Sequence, residues 1–98
     1  MSFRKICSAV FNGKRWSIGF GFPGKTKGKV DDGVCRYYSK RIVIHRKAKG
    51  RVICLEEAII HECAHAAFPF ILEADIDKFA ESTAKVLHKM RAVEADKY

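Results

Sequence analysis

Two histidines four residues apart, with a glutamate beside the first, occur in the segment His61-Glu62-Cys63-Ala64-His65. In a helix, positions i and i+4 lie on the same side one turn apart, so both imidazoles can reach one point. Two imidazole nitrogens can then bind a single Zn²⁺ at about 2.0–2.1 Å. Glu62 stands where a general base for a water molecule beside the metal is needed. The spacing therefore predicts a catalytic zinc site.

A catalytic zinc typically takes a third protein ligand. The candidates that follow are Glu73, Asp75, Asp77 and Glu81. Glu73 is preferred because it follows Pro69 after a turn short enough to fold a second helix back across the first. Asp77 lies four residues later on the same helical face and can accept a hydrogen bond from a ligand imidazole, which fixes its tautomer. Glu81, two turns beyond Glu73, is the alternative ligand.

The residues around these candidates have the periodicity of two helices. Apolar residues recur at helical spacing from Leu55, and Pro69 ends this first helix near Phe68. We expect Glu56 and Glu57 in its first turn, where the helix dipole favours acids. The second helix is predicted from about residue 73 to about residue 93. Its predicted buried stripe consists of Ile76, Phe79, Ala80, Thr83, Val86, Leu87 and Met90.

The first half of the chain has the pattern of β-strands. Asn12-Gly13 is a strong hairpin signal, and Trp16, Ile18, Phe20 and Phe22 alternate with polar or small residues after it, which predicts them on one buried face. The pattern predicts strands over residues 3–11, 15–22 and 41–46, with a loop over residues 23–33. The sequence therefore predicts an α+β fold in one domain, residues 1–98, in which a small three-stranded sheet (a β-hairpin plus an edge strand) packs on two helices.

The charge of the chain is unevenly distributed. The net charge is +8, made of +12 on residues 1–51 and −4 on residues 52–98. A basic half of this kind can bind nucleic acid or an acidic host protein. The alternative function is thus a non-catalytic basic binding module in which zinc only stabilises the fold. The candidate binding residues are Lys25, Lys27, Lys29, Arg46, Lys47, Lys49 and Arg51.

The four cysteines form no C-x-x-C pair, so a zinc ribbon has no support. We expect them to be reduced and buried, with Cys63 packed in the core rather than bound to metal. His45 and His88 are isolated, and we expect them at the surface. No apolar run approaches the roughly 20 residues of a membrane span, and no signal peptide is indicated. These features favour a cytoplasmic protein without a membrane partner.

Two segments carry a family resemblance. The run IIHECAHAAFP (residues 59–69) resembles the active-site helix of zincin metallopeptidases. The run EADIDKFA (residues 73–80) is similar to the glutamate helix of gluzincins, particularly of ImmA/IrrE-like peptidases. The stretch of residues 33–90 resembles small HExxH proteins encoded by bacteriophages, whose place of action would be the host cytoplasm.

The resemblance implies a minimal zincin-like metallopeptidase. Zinc would be bound by His61, His65 and Glu73, with Glu62 as base and acid. It also implies that the strand Arg41–Arg46 is the sheet edge beside the cleft, pairing with an extended peptide or protein substrate. The residues of that edge are Arg41, Ile42, Val43 and Ile44. Larger gluzincins supply a Tyr or His that stabilises the transition state, for which Tyr37, Tyr38 and Tyr98 are the candidates here.

Overall fold

Over residues 3–45 and 52–97, which the computed structural model describes, the protein folds as six strands followed by two helices. The elements are β1 (Arg4–Phe11), β2 (Lys14–Phe20), β3 (Lys25–Thr26), β4 (Lys29–Val30), β5 (Gly33–Arg36), β6 (Arg41–Ile44), α1 (Val52–Ala67) and α2 (Glu73–Lys97). The α+β class is as expected, but the expectation that the sheet packs on both helices was wrong, because among the described residues α2 contacts α1 and no strand. The main sheet has four strands instead of three, and β3 and β4 form a separate ribbon within the predicted loop.

The predicted hairpin joins β1 to β2. Asn12 and Gly13 have φ values of 51° and 73°, the left-handed conformation that a two-residue turn between twisted antiparallel strands requires. Phe11 pairs with Lys14 directly across the turn. The register then brings Trp16 onto the face of the sheet that α1 covers, and its side chain is almost fully buried.

The strand order β1-β2-β6-β5 corrects the prediction for residues 41–46. β6 runs parallel to β2 on one side and antiparallel to β5 on the other, so Arg41, Ile42, Val43 and Ile44 form an interior strand and not the sheet edge. Ile42 and Ile44 are 0% and 1% exposed. The prediction failed because β5 has only four residues, too few for a recognisable alternation. Arg46, the predicted last residue of the strand, lies outside the described residues.

The main core lies between the sheet and α1. Its fully buried members are Trp16, Ile42, Ile44 and Ala66. The partly buried side chains that pack against them are Phe11, Ile18, Phe20, Cys35, Leu55, Ile59 and Cys63. Phe20 and Cys63 thus contact the core as expected, whereas Phe22, which lies beyond the end of β2, and Cys7 are exposed, against expectation. All four cysteines are free thiols.

Helix α1 begins three residues earlier than predicted, at Val52. Glu56 and Glu57 consequently lie beyond the first turn. The prediction that they stand in the first turn, where the helix dipole stabilises an acid, was therefore wrong. The helix ends at Ala67, and Ile71 N donates to Phe68 O at 3.1 Å in the turn that follows. This short turn reverses the chain and lets α2 begin at Glu73.

Helix α2 contacts α1 through a ridge of one isoleucine and two alanines. Ile76, Ala80 and Ala84 are buried at i, i+4 and i+8, and the two small alanines let the backbones approach closely. The predicted buried stripe was wrong for Phe79, Val86, Leu87 and Met90, which are exposed. Of these, Phe79, Val86 and Met90 lie about 100° round the helix from this ridge. Over the described residues, neither helix combines the length and apolarity needed to cross a bilayer.

Candidate metal centre

The side chains of His61, His65 and Glu73 converge between the two helices. His61 and His65 leave α1 on the same side, and Glu73 is the first residue of α2. Glu73 Oε1 lies 2.9 Å from His61 Nε2, and Glu73 Oε2 lies 2.8 Å from His65 Nε2. The two Nε2 atoms are 3.0 Å apart. One ligand atom from each residue falls within 4.8 Å of the others.

As long as Glu73 is ionised, protons alone do not satisfy this cluster. If both Nε2 atoms donate to Glu73, two N–H groups face each other across the 3.0 Å between the imidazoles. If one Nε2 is left unprotonated, it points a lone pair at a carboxylate oxygen 2.8–2.9 Å away. A cation at the point of convergence removes the conflict, because it accepts lone pairs from both nitrogens and from the carboxylate.

The spacing of the ligand atoms fits such a cation. Ligands bound at about 2.0–2.1 Å in tetrahedral geometry lie about 3.3 Å from one another. The observed separations of 2.8–3.0 Å therefore need to widen by only a few tenths of an ångström. The group His61, His65 and Glu73 could hold a metal ion.

Asp77 lies behind His61, one helical turn after Glu73. Its Oδ1 is 3.1 Å from His61 Nδ1, on the far side of the ring from the convergence point. An Nδ1–H donated to Asp77 leaves Nε2 unprotonated and therefore available to a metal. Glu81, the alternative ligand, forms an ion pair with Lys85 at 3.0 Å and is not part of the metal-binding group.

Glu62 is held in a tight, largely dry position next to the metal group. Its side chain is 8% exposed. A Cβ at Gly33 of β5 would lie 3.0 Å from Glu62 Cγ, so the glycine makes room for the glutamate. The pKa of Glu62 is raised to about 7, chiefly by burial; His61 opposes the shift, and the carboxylates of Glu73 and Asp31 add to it.

A cavity of about 520 Å³ opens over this group, between α1, β5 and the start of α2. Six carboxylates line it, and among the described residues no Lys or Arg does. The six are Asp31, Asp32, Glu57, Glu62, Glu73 and Asp77. A strongly acidic cavity in a chain of net charge +8 attracts cations and repels phosphates.

Tyr37 is the tyrosine that lies at this cavity. Its hydroxyl donates to His65 O at 2.9 Å, and its ring meets the Trp16 ring edge-on with centroids 5.6 Å apart. Burial and the neighbouring Cys35 raise the pKa of Tyr37 to about 12, so the hydroxyl keeps its proton at neutral pH. Tyr38 is fully exposed, and Tyr98 lies outside the described residues.

The predicted basic residues are only partly described. Lys25, Lys27 and Lys29 are exposed on the β3–β4 ribbon, whose Thr26 reaches the cavity. The other four lie outside the described residues: Arg46, Lys47, Lys49 and Arg51. His45 is half-buried just after β6, and His88 is exposed on α2; neither belongs to the metal group.

Sequence reasoning missed two parts of the site, the strand β5 with Gly33 and the location of Tyr37. The Gly33-Val34-Cys35-Arg36 strand is too short to show a period, and residues 37–40, which join it to β6, contain no Asn-Gly or Asp-Gly hairpin signal. Comparison of the chain with protein-family models, with curated proteins and with solved structures gives no match. The geometry described above is therefore the basis for assigning a function.

Substitution of the three converging residues is expected to abolish metal binding. His61→Ala and Glu73→Ala each remove a ligand and should weaken Zn²⁺ binding by more than about 100-fold, and Asp77→Asn by about 10- to 100-fold. Competition with a chromophoric chelator measures these affinities. Glu81→Ala is the matched control and should bind like the wild type. If Glu73→Ala binds Zn²⁺ normally and Glu81→Ala does not, then Glu81 and not Glu73 is the third ligand.

The pKa of Glu62 predicts how the stability of the metal-free protein depends on pH. Between the ordinary value of 4.5 and about 7, the folded protein holds a proton that the unfolded chain has released. The contribution of Glu62 to stability therefore falls as pH rises through this window and is constant above it. With chelator present, the Tm of Glu62→Gln minus that of the wild type should increase from pH 4.5 to pH 7. The exposed Glu81→Gln should show no such trend, and a constant difference for Glu62→Gln would contradict the assigned pKa.

Proposed function

We propose that the protein is a zinc-dependent metallopeptidase with a minimal zincin-like domain. The observation that carries the proposal is that a three-residue metal-binding group and a nearly buried glutamate share one cavity. Histidine pairs on a helix and acids on a second helix are common separately. Their convergence with an acid that is not itself a ligand is the arrangement that metal-assisted hydrolysis needs.

Zinc is the metal proposed because two imidazoles and one carboxylate suit it better than they suit the harder, oxygen-preferring Mg²⁺ and Ca²⁺. Bound there, zinc would polarise a peptide carbonyl and make a nearby water more acidic. Asp77 would hold His61 in the tautomer whose Nε2 lone pair faces the metal.

Glu62 would move the proton during hydrolysis. Its burial keeps the carboxyl poised near neutral pH, where a group can both accept and return a proton. Its carboxylate oxygen would take a proton from the attacking water and deliver it to the leaving amine. The tight fit against Gly33 would fix the direction of the carboxylate during both transfers.

The substrate is proposed to be an extended peptide lying along β5. With β6 in the interior, β5 is the edge of the main sheet on the cavity side, and Gly33, Val34 and Cys35 line the cavity. A peptide added there would use the backbone groups of β5 that do not pair with β6. Tyr37, which follows β5, would have to turn its hydroxyl away from His65 O in order to donate to the carbonyl under attack.

A basic binding module is the second candidate. The observation in its favour is the exposure of Lys25, Lys27 and Lys29 on one small ribbon. Because the cavity is lined by carboxylates, a polyanion such as nucleic acid, or an acidic protein, would bind the ribbon and not the cavity. Both functions can operate in one molecule, since they use different surfaces.

Glu62→Gln tests hydrolysis directly. The variant should keep Zn²⁺, because Glu62 is not in the metal-binding group, and lose activity by about 10²- to 10⁴-fold, because the amide cannot accept the proton. Cleavage of an unfolded protein such as reduced casein is followed by mass spectrometry of the products. Glu81→Gln should retain wild-type activity. A Glu62→Gln variant that cleaves as fast as the wild type would remove hydrolysis by this site.

The ribbon is tested by the salt dependence of binding to a short single-stranded DNA. If Lys25 and Lys29 contact phosphates, replacing both with Ala should make the slope of log K against log [salt] less negative by about 2. Replacing Lys5 on β1 and Lys14 on β2 with Ala changes the charge equally and should leave the slope unchanged. Binding that is absent, or that salt does not weaken, would contradict a nucleic-acid interface.

A further inference from the structure

Helix α2 carries a second apolar stripe that the fold does not cover. Phe79, Val86, Met90 and Val93 are 53%, 58%, 66% and 67% exposed. We call these four residues the outer stripe. Single exposed apolar side chains are normal, but a continuous row of large ones marks an interaction surface.

The outer stripe is separate from the two surfaces of α2 already described. It lies roughly 100° round the helix from the ridge of Ile76, Ala80 and Ala84 that contacts α1. It lies roughly 140° from Glu73 and Asp77, which face the metal centre. A partner bound to the outer stripe would therefore leave the cavity open, and this inference does not depend on the proposed peptidase function.

The spacing of the outer stripe identifies what covers it. The intervals between its members are seven, four and three residues, the repeat by which one helix packs along another in a coiled coil. The intervening position that completes the repeat is Thr83, which is half-buried and small. A sheet edge, a loop or an extended peptide has no matching period. The partner is therefore a helix with the same repeat.

We propose that the outer stripe pairs with the outer stripe of a second copy of this chain, the two α2 helices running in the same direction. The chain itself supplies a helix with the required repeat, and a two-fold axis makes one stripe complementary to its own copy. Charge supports the parallel orientation. Lys89 and Glu94 flank the stripe on opposite sides, five residues apart, so in a parallel pair each Lys89 faces Glu94 of the other copy.

The dimer is tested by sedimentation equilibrium of the zinc-loaded protein between about 1 and about 200 µM. The wild type should show a monomer–dimer equilibrium within this range. Met90→Glu places a charge in the seam and should weaken the dimer on the order of 100-fold. Lys78→Ala changes the net charge by the same amount on another exposed face of α2 and should leave the dimer unchanged. Circular dichroism and zinc content verify that both variants fold.

A charge exchange tests the orientation. Lys89→Glu and Glu94→Lys should each weaken the dimer, because like charges then face each other, and the double variant should restore it. A wild type that stays monomeric over the whole range would overturn the proposal, as would a Met90→Glu variant that dimerises normally. Single variants that weaken the dimer without rescue in the double variant would overturn the parallel arrangement.

Discussion

The carboxylate of Glu73 between the imidazoles of His61 and His65 is the contact on which the rest of the structure depends. It forms only if α2 starts immediately after a tight reversal and packs closely on α1. The short turn before Glu73 provides the reversal, and the alanines Ala80 and Ala84 on α2 allow the close approach. The position of Glu73 therefore depends on the close packing of the two helices, because a larger residue at Ala80 would move Glu73 away from the histidines.

The electrostatics of the molecule are divided by location. Carboxylates collect in the cavity, and lysines remain on exposed surfaces such as the β3–β4 ribbon. Burial, and after it repulsion from Glu73, Asp31 and Asp77, raises the pKa of Glu62 when no cation is bound. A bound divalent ion would offset much of that repulsion. Burying Glu62 lowers the stability of the fold, and under the proposed mechanism it is this burial that keeps a proton acceptor in place at the site.

Local patterns predicted much of this arrangement. The histidine spacing, the helix-ending proline and the Glu73–Asp77 interval each involve residues within one or two turns, and the hairpin follows from Asn12-Gly13 alone. The strand order could not be predicted in this way, because the pairing of β6 with β2 joins segments 24 residues apart and the four-residue strand β5 is too short to show a period. Helical periodicity also could not tell the ridge facing α1 from the outer stripe, since both are apolar rows on one helix.

The most direct test of the central claim is X-ray absorption spectroscopy of the zinc-loaded protein at the metal edge. If His61, His65 and Glu73 bind the metal, we expect one zinc per chain with two imidazole nitrogens and carboxylate or water oxygens at about 2.0–2.1 Å, and no sulfur. Sulfur at about 2.3 Å would show that cysteines bind the zinc, and a shell with no imidazole scattering would show that His61 and His65 do not. Either result would contradict a metal site formed by these residues of the two helices.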